Sequence, residues 1–85
     1  MTGPCEICGR WCLLERHHVF GASNRKKSEK YGYVVNLCHW CHNEPPYGVH
    51  HNASMMRSLH QKYQHIFEQT HTREEFIQEF GKNYL

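Results

Sequence analysis

Apolar and polar positions along this chain fall into two regimes that meet near Asn52. Beyond it the spacing is helical, with Met55, Met56, Leu59, Tyr63, Ile66 and Phe67 recurring so as to share one face. Asn52 stands where an N-cap belongs. A second, shorter helix is predicted from Thr72, where the run T-R-E-E sets up a capping box through Glu75. Phe76, Ile77 and Phe80 would form its buried stripe and Gly81 its C-terminal stop.

Before Asn52 the apolar runs are short and β-favouring. WCLLERHHVF, residues 11–20, suits a strand, and YVVNL, residues 33–37, suits its partner. Between them GASNRKKSEKYG, flanked by Gly21 and Gly32, reads as a polar loop, so a β-hairpin is expected. Pro45 and Pro46 then bar any continuous helix before Asn52. The expected class is α+β, one domain over residues 1–85, with the hairpin in 1–51 and the helices in 52–85.

A chain of 85 residues buries too little surface to be secure without a staple. Two CxxC pairs, Cys5/Cys8 in CEIC and Cys38/Cys41 in CHWC, are separated by 29 residues. Each pair can reach one ion from a tight turn, and together they complete the tetrahedron that zinc prefers. A redox CxxC would need no twin. Gly9 supplies the backbone freedom of the first turn, and the fifth cysteine, Cys12, is expected to be a small buried strand residue. The opening MTGPCEICGR lacks the charged start and apolar run of a secretory signal, and no apolar stretch approaches the roughly 18 residues of a membrane span. A reducing, cytoplasmic setting is therefore expected, the host cytosol if the chain is phage-encoded, in which paired cysteines bind metal. Four thiolates saturate an ion, so this zinc is structural and any chemistry lies elsewhere.

Nine histidines are present, an enrichment that points to metal chemistry or proton transfer. If one zinc gathers the two knuckles, the His17–His18 pair and His42 are drawn together. Neighbouring strand residues point to opposite faces, so His17 and His18 need different tasks or a local twist. His39, His60, His65 and His71 read as solvated. The net charge of +2 names no partner by itself, but Arg25, Lys26, Lys27 and Lys30 cluster in the segment after the paired histidines. With Arg16 they are candidate contacts to the phosphates of a nucleic acid.

CEIC, RHHVFG, the strand leading into LCHWCH and the downstream GVHHN resemble the HNH, or ββα-metal, nuclease family in its small, phage-type form with paired zinc knuckles. The resemblance spans roughly residues 5–60. It implies a hairpin and helix cradling one catalytic divalent metal, His17 as metal ligand, His18 as general base and His42 as the helix-borne ligand. The last ligand often follows that histidine by four residues, a place held here by Pro46, so His50 or His51 takes the role, with His50 preferred because GVH ends the proline-containing insertion. The family commonly has an asparagine where this chain has Tyr33, leaving Asn36 and Asn24 as substitutes. A histidine-rich ligand set accepts Mn²⁺, Ni²⁺ or Zn²⁺ more readily than an oxygen-only site, which favours Mg²⁺. The implied activity is a DNA endonuclease or nickase leaving a 5′ phosphate and a 3′ hydroxyl, with a homodimer or larger protein complex supplying specificity. The rivals are a non-catalytic zinc module on the same scaffold, binding nucleic acid or a protein, and a second structural metal held by the histidines.

Overall fold

A computed structural model describes residues 1–85. Three antiparallel strands, paired in chain order, form one sheet, with Cys5 and Cys8 on the connection between the first two and Cys38 and Cys41 at and just past the end of the third. They are β1 (Thr2–Pro4), β2 (Trp11–His18) and β3 (Val34–Cys38). The expected hairpin is β2 with β3, in a register that sets Leu14 opposite Cys38 and His18 opposite Val34. The short β1, which no apolar pattern announces, adds an outer edge through Thr2 opposite Leu13.

The segment expected to be a polar loop is instead helical. A 3₁₀ turn, Ala22–Asn24, leads into α1 (Arg25–Tyr31), which ends at Gly32 in the left-handed conformation. RKKSEKY is made of good helix formers, but so short a helix persists only when docked. The dock is Ser28. Its buried hydroxyl accepts from the Phe20 amide at 2.9 Å and donates to the Phe20 carbonyl at 2.8 Å, while its own carbonyl accepts from the Tyr33 amide.

After β3 the chain turns at once into α2 (His39–Asn43), passes a 3₁₀ turn at Val49–His51 and enters α3 (Ala53–Glu68). The Asn52 side chain caps α3 by accepting from the Met55 amide at 3.1 Å. Helix α4 (Arg73–Phe80) carries the capping box of Thr72 and Glu75, and Gly81 stops it in the left-handed region. No helix is long and apolar enough to cross a membrane.

Both halves of the chain share one core, in which Phe20 meets Phe76, Phe80 and Tyr33, and Phe67 lies beside Phe76. Gln64, fully buried, holds the C-terminal tail by accepting from the Tyr84 amide and donating to Asn83 Oδ1, each at 2.8 Å. Several apolar expectations need correction. Ile77, placed in the α4 stripe, and Ile66, placed on the α3 face, are each 39% exposed, since α4 buries only Phe76 and Phe80 and α3 buries Leu59, Gln64 and Phe67. Cys12 is only half-buried. His60 is not a solvated side chain, for it stacks on Phe20 with ring centroids 5.2 Å apart.

Candidate metal centres and the histidine cleft

The first centre is built from the two knuckles. Cys5 and Cys8 lie on the β1–β2 connection, and Cys38 and Cys41 straddle the junction of β3 with α2. All four Sγ atoms lie within 4.8 Å of one another, and Cys8 to Cys38 is 3.8 Å. Tetrahedral zinc with Zn–S bonds of about 2.3 Å needs sulfur separations of about 3.8 Å. Backbone amides point at the sulfurs: Ile7 donates to Cys5 Sγ and Cys41 to Cys38 Sγ, each at 3.4 Å. Against the upward push of burial, backbone hydrogen bonds draw the Cys5 thiol down to about 6. Burial, followed by the neighbouring thiols, pushes Cys41 up. Four thiolates this close repel one another unless a cation sits among them, and the cluster can hold a metal such as zinc.

The second centre lies about the far end of β2. His17 comes from β2, His42 from α2 and His50 from the 3₁₀ turn, and one ring nitrogen of each lies within 4.8 Å of the others. His17 is 4% exposed, and its Nε2 is a buried polar atom with no hydrogen-bond partner. An orphaned nitrogen of this kind is costly unless something fills it. His42 Nδ1 lies 2.7 Å from Glu15 Oε1, and a carboxylate only accepts, so Nδ1 carries a proton and Nε2 is the ring nitrogen turned towards the other two histidines. That Nε2 lies 3.0 Å from His50 Nε2. The arrangement has the carboxylate–histidine pairing that orients metal ligands. Burial, then the charges that His50 and His42 would carry, holds His17 down to about 4, so its lone pair is free at neutral pH. Burial likewise lowers His50, ahead of His42 and His51. The hydrogen bond from His42 leads the causes that hold Glu15 below the usual carboxylate range. The residues present therefore fit a divalent cation bound through imidazole.

His18 takes the other direction, as strand parity requires. Its Nε2 lies 2.8 Å from Glu29 Oε1 on α1, and Arg16 Nη2 reaches both oxygens of the same carboxylate at 2.9 and 3.0 Å. The two histidines nevertheless border one cleft of about 330 Å³, together with His42, His50, Arg16 and Arg25.

The remaining candidates are dispersed. His51 Nε2 bonds Asn43 Oδ1 at 3.2 Å and stays outside the cluster. Lys27 and Lys30 turn towards Glu79 on α4, at 3.5 and 3.9 Å. Lys26 is exposed. His39 lies between Glu15 and Glu44, whose hydrogen bonds raise it, Glu15 the more. Tyr33 is buried in the core beside Tyr31 and Tyr63, and Asn24 donates to the Phe80 carbonyl at 3.0 Å.

Sequence reasoning missed the two carboxylates. Glu15 was within reach, since it lies two residues before His17 and so on the same face of the strand. Glu29 carried no such signal, because its orientation depends on a helix that the residue pattern does not announce. No family model, curated protein or solved structure matches the chain, and the site is read from its own geometry.

Proposed function

We propose that this chain is a metal-dependent DNA endonuclease or nickase on an HNH, or ββα-metal, scaffold, with a structural zinc at Cys5, Cys8, Cys38 and Cys41. The observation that carries the reading is the convergence of His17, His42 and His50, with His17 Nε2 orphaned, in the cleft that His18 also borders. A divalent ion bound there supplies polarisation of a phosphate and stabilisation of the departing oxygen. An imidazole is the side chain best suited to accept a proton from water near neutral pH. In this role His18 takes the proton as the water oxygen bonds to phosphorus and the P–O3′ bond breaks, and the departing oxygen takes up a proton from solvent, leaving a 5′ phosphate and a 3′ hydroxyl. Arg25, on the cleft wall, and Lys26, near it in sequence, offer attraction to the DNA backbone.

A second reading, a zinc module that binds nucleic acid or a protein without cutting, draws support from Tyr33, which packs in the core where the family has an asparagine. Incubation of supercoiled plasmid with Mn²⁺ or Mg²⁺ separates the two. Nicking by the wild type and its loss in His18→Ala supports the nuclease. Retained DNA binding with equal inertness of both proteins supports the second reading.

A further inference from the structure

We infer that Glu29 positions the imidazole of His18, and that Arg16 acts as the counter-ion fixing Glu29 rather than as a contact to substrate phosphate. The inference deepens the proposed function and rests, in its kinetic part, on His18 acting as the base.

Three observations carry it. Because a carboxylate only accepts, the 2.8 Å contact between Glu29 Oε1 and His18 Nε2 puts the ring proton on Nε2 and leaves Nδ1 as the nitrogen able to take a proton from water. Arg16 Nη2 bridges both Glu29 oxygens, which holds the carboxylate against rotation. Arg16 and His18 are two residues apart on β2 and therefore on one face, the face that α1 covers. The helix itself is anchored one residue away from Glu29, where Ser28 grips the Phe20 backbone, so the carboxylate is set relative to the end of β2.

A purely stabilising role is a poor account of the trio. The Arg16 and Glu29 side chains are 57% and 48% exposed, and pairs so exposed contribute little to stability. No asparagine side chain supplies the same support. Asn24 is engaged with Phe80, and no hydrogen bond links Asn36 to His18.

The test uses the zinc-loaded full chain and two readouts. Long-range ¹⁵N–¹H spectra of the His18 ring, above the histidine titration range, are expected to show a single tautomer with the proton on Nε2, becoming a mixture in Glu29→Ala. Plasmid nicking is expected to show kcat reduced roughly tenfold to a hundredfold in Glu29→Ala with KM within about twofold, and partial recovery in Glu29→Gln. Arg16→Ala should lower kcat less, and the double variant should be no worse than Glu29→Ala alone. Both positions are exposed and tolerate alanine, and retained zinc content together with the circular dichroism spectrum confirms the fold. The inference is overturned if the tautomer is unchanged in Glu29→Ala, or if Arg16→Ala raises KM while leaving kcat and the His18 spectrum as they were. Should the wild type fail to nick with any metal while the Glu29-dependent tautomer is present, the nuclease reading falls and the positioning of His18 stands.

Discussion

Gly48 lies so close to His42 that a Cβ on it would stand 2.7 Å from the His42 carbonyl carbon, and 2.6 Å from the Asn43 amide nitrogen. Glycine alone lets the Val49–His51 turn rest against the end of α2, and that apposition delivers His50 to His42. Gly48→Ala is expected to displace His50 and weaken Mn²⁺ or Ni²⁺ binding at the histidine cluster by at least about tenfold. Zinc held by the four cysteines should be unaffected. Calorimetric titration with a parallel zinc assay reads both, and unchanged affinity would show that the turn does not set the cluster.

Glu15 acts on the same cluster from outside, through its 2.7 Å hydrogen bond with His42 Nδ1. Glu15→Ala frees the His42 ring to rotate and to change tautomer. Metal affinity at the histidine site should fall about 10- to 100-fold, as is usual when the partner of a ligating histidine is lost. Glu15→Gln, which keeps an acceptor, should lose less.

Ser28 satisfies both backbone groups of Phe20 from a fully buried position. Ser28→Ala leaves a buried donor and a buried acceptor unpaired and is expected to cost about 1–3 kcal/mol of stability in urea unfolding. The loss should fall first on α1, seen as faster amide exchange over Arg25–Tyr31. Uniform exchange along the chain would mean that α1 is held by something else.

Glu79 ties α4 to α1, accepting from the Tyr31 hydroxyl at 2.9 Å and lying beside Lys27 and Lys30. The Tyr31 hydrogen bond, then the lysines, hold its carboxyl below the ordinary value of 4.5, against an opposing push from burial. The folded chain thus binds fewer protons at Glu79 than the unfolded chain, and stability rises with pH across that window. The contribution is fully present above about 4.5 and disappears as pH falls through the folded value. The stability difference between wild type and Glu79→Gln should therefore shrink towards zero in acid. Taking the difference cancels the loss of thiolate ligands common to both proteins.

Removal of zinc held by the four cysteines should unfold the chain and abolish any nuclease activity together, since such an ion would tie the β1–β2 connection to the start of α2. Cys41→Ser should behave like strong chelation. Cys12→Ser, at a half-buried thiol outside the cluster, should keep its metal and its fold.

How much of this was legible in the residues depends on how local each feature is. The capping box at Thr72, the Asn52 cap and the Gly81 stop act within one helical turn, so the sequence pattern locates them. Helix α1 was not legible, because RKKSEKY has no apolar stripe and its buried anchor is a serine hydroxyl turned towards the backbone of Phe20, eight residues earlier. Ile66 and Ile77 show the opposite failure, apolar residues left partly in water because the core is narrower than the helical pattern implies. Buried Gln64 has no sequence signature at all, since its partners are the C-terminal tail.

The amino-acid sequence by itself determined the chemistry on offer: two thiolate pairs at metal-binding spacing, adjacent histidines on a strand, and two capped helices. These follow from contacts between near neighbours and from side-chain type alone. Tertiary structure decided which histidines converge, choosing His50 over His51 through the close approach at Gly48. It also decided that His42 leans on Glu15 and His18 on Glu29, while Lys27 and Lys30 turn away to Glu79. The physical reason is that a metal site or an oriented imidazole needs atoms within about 3 Å, and between distant segments that precision comes only from strand register, helix docking and the shape of the backbone.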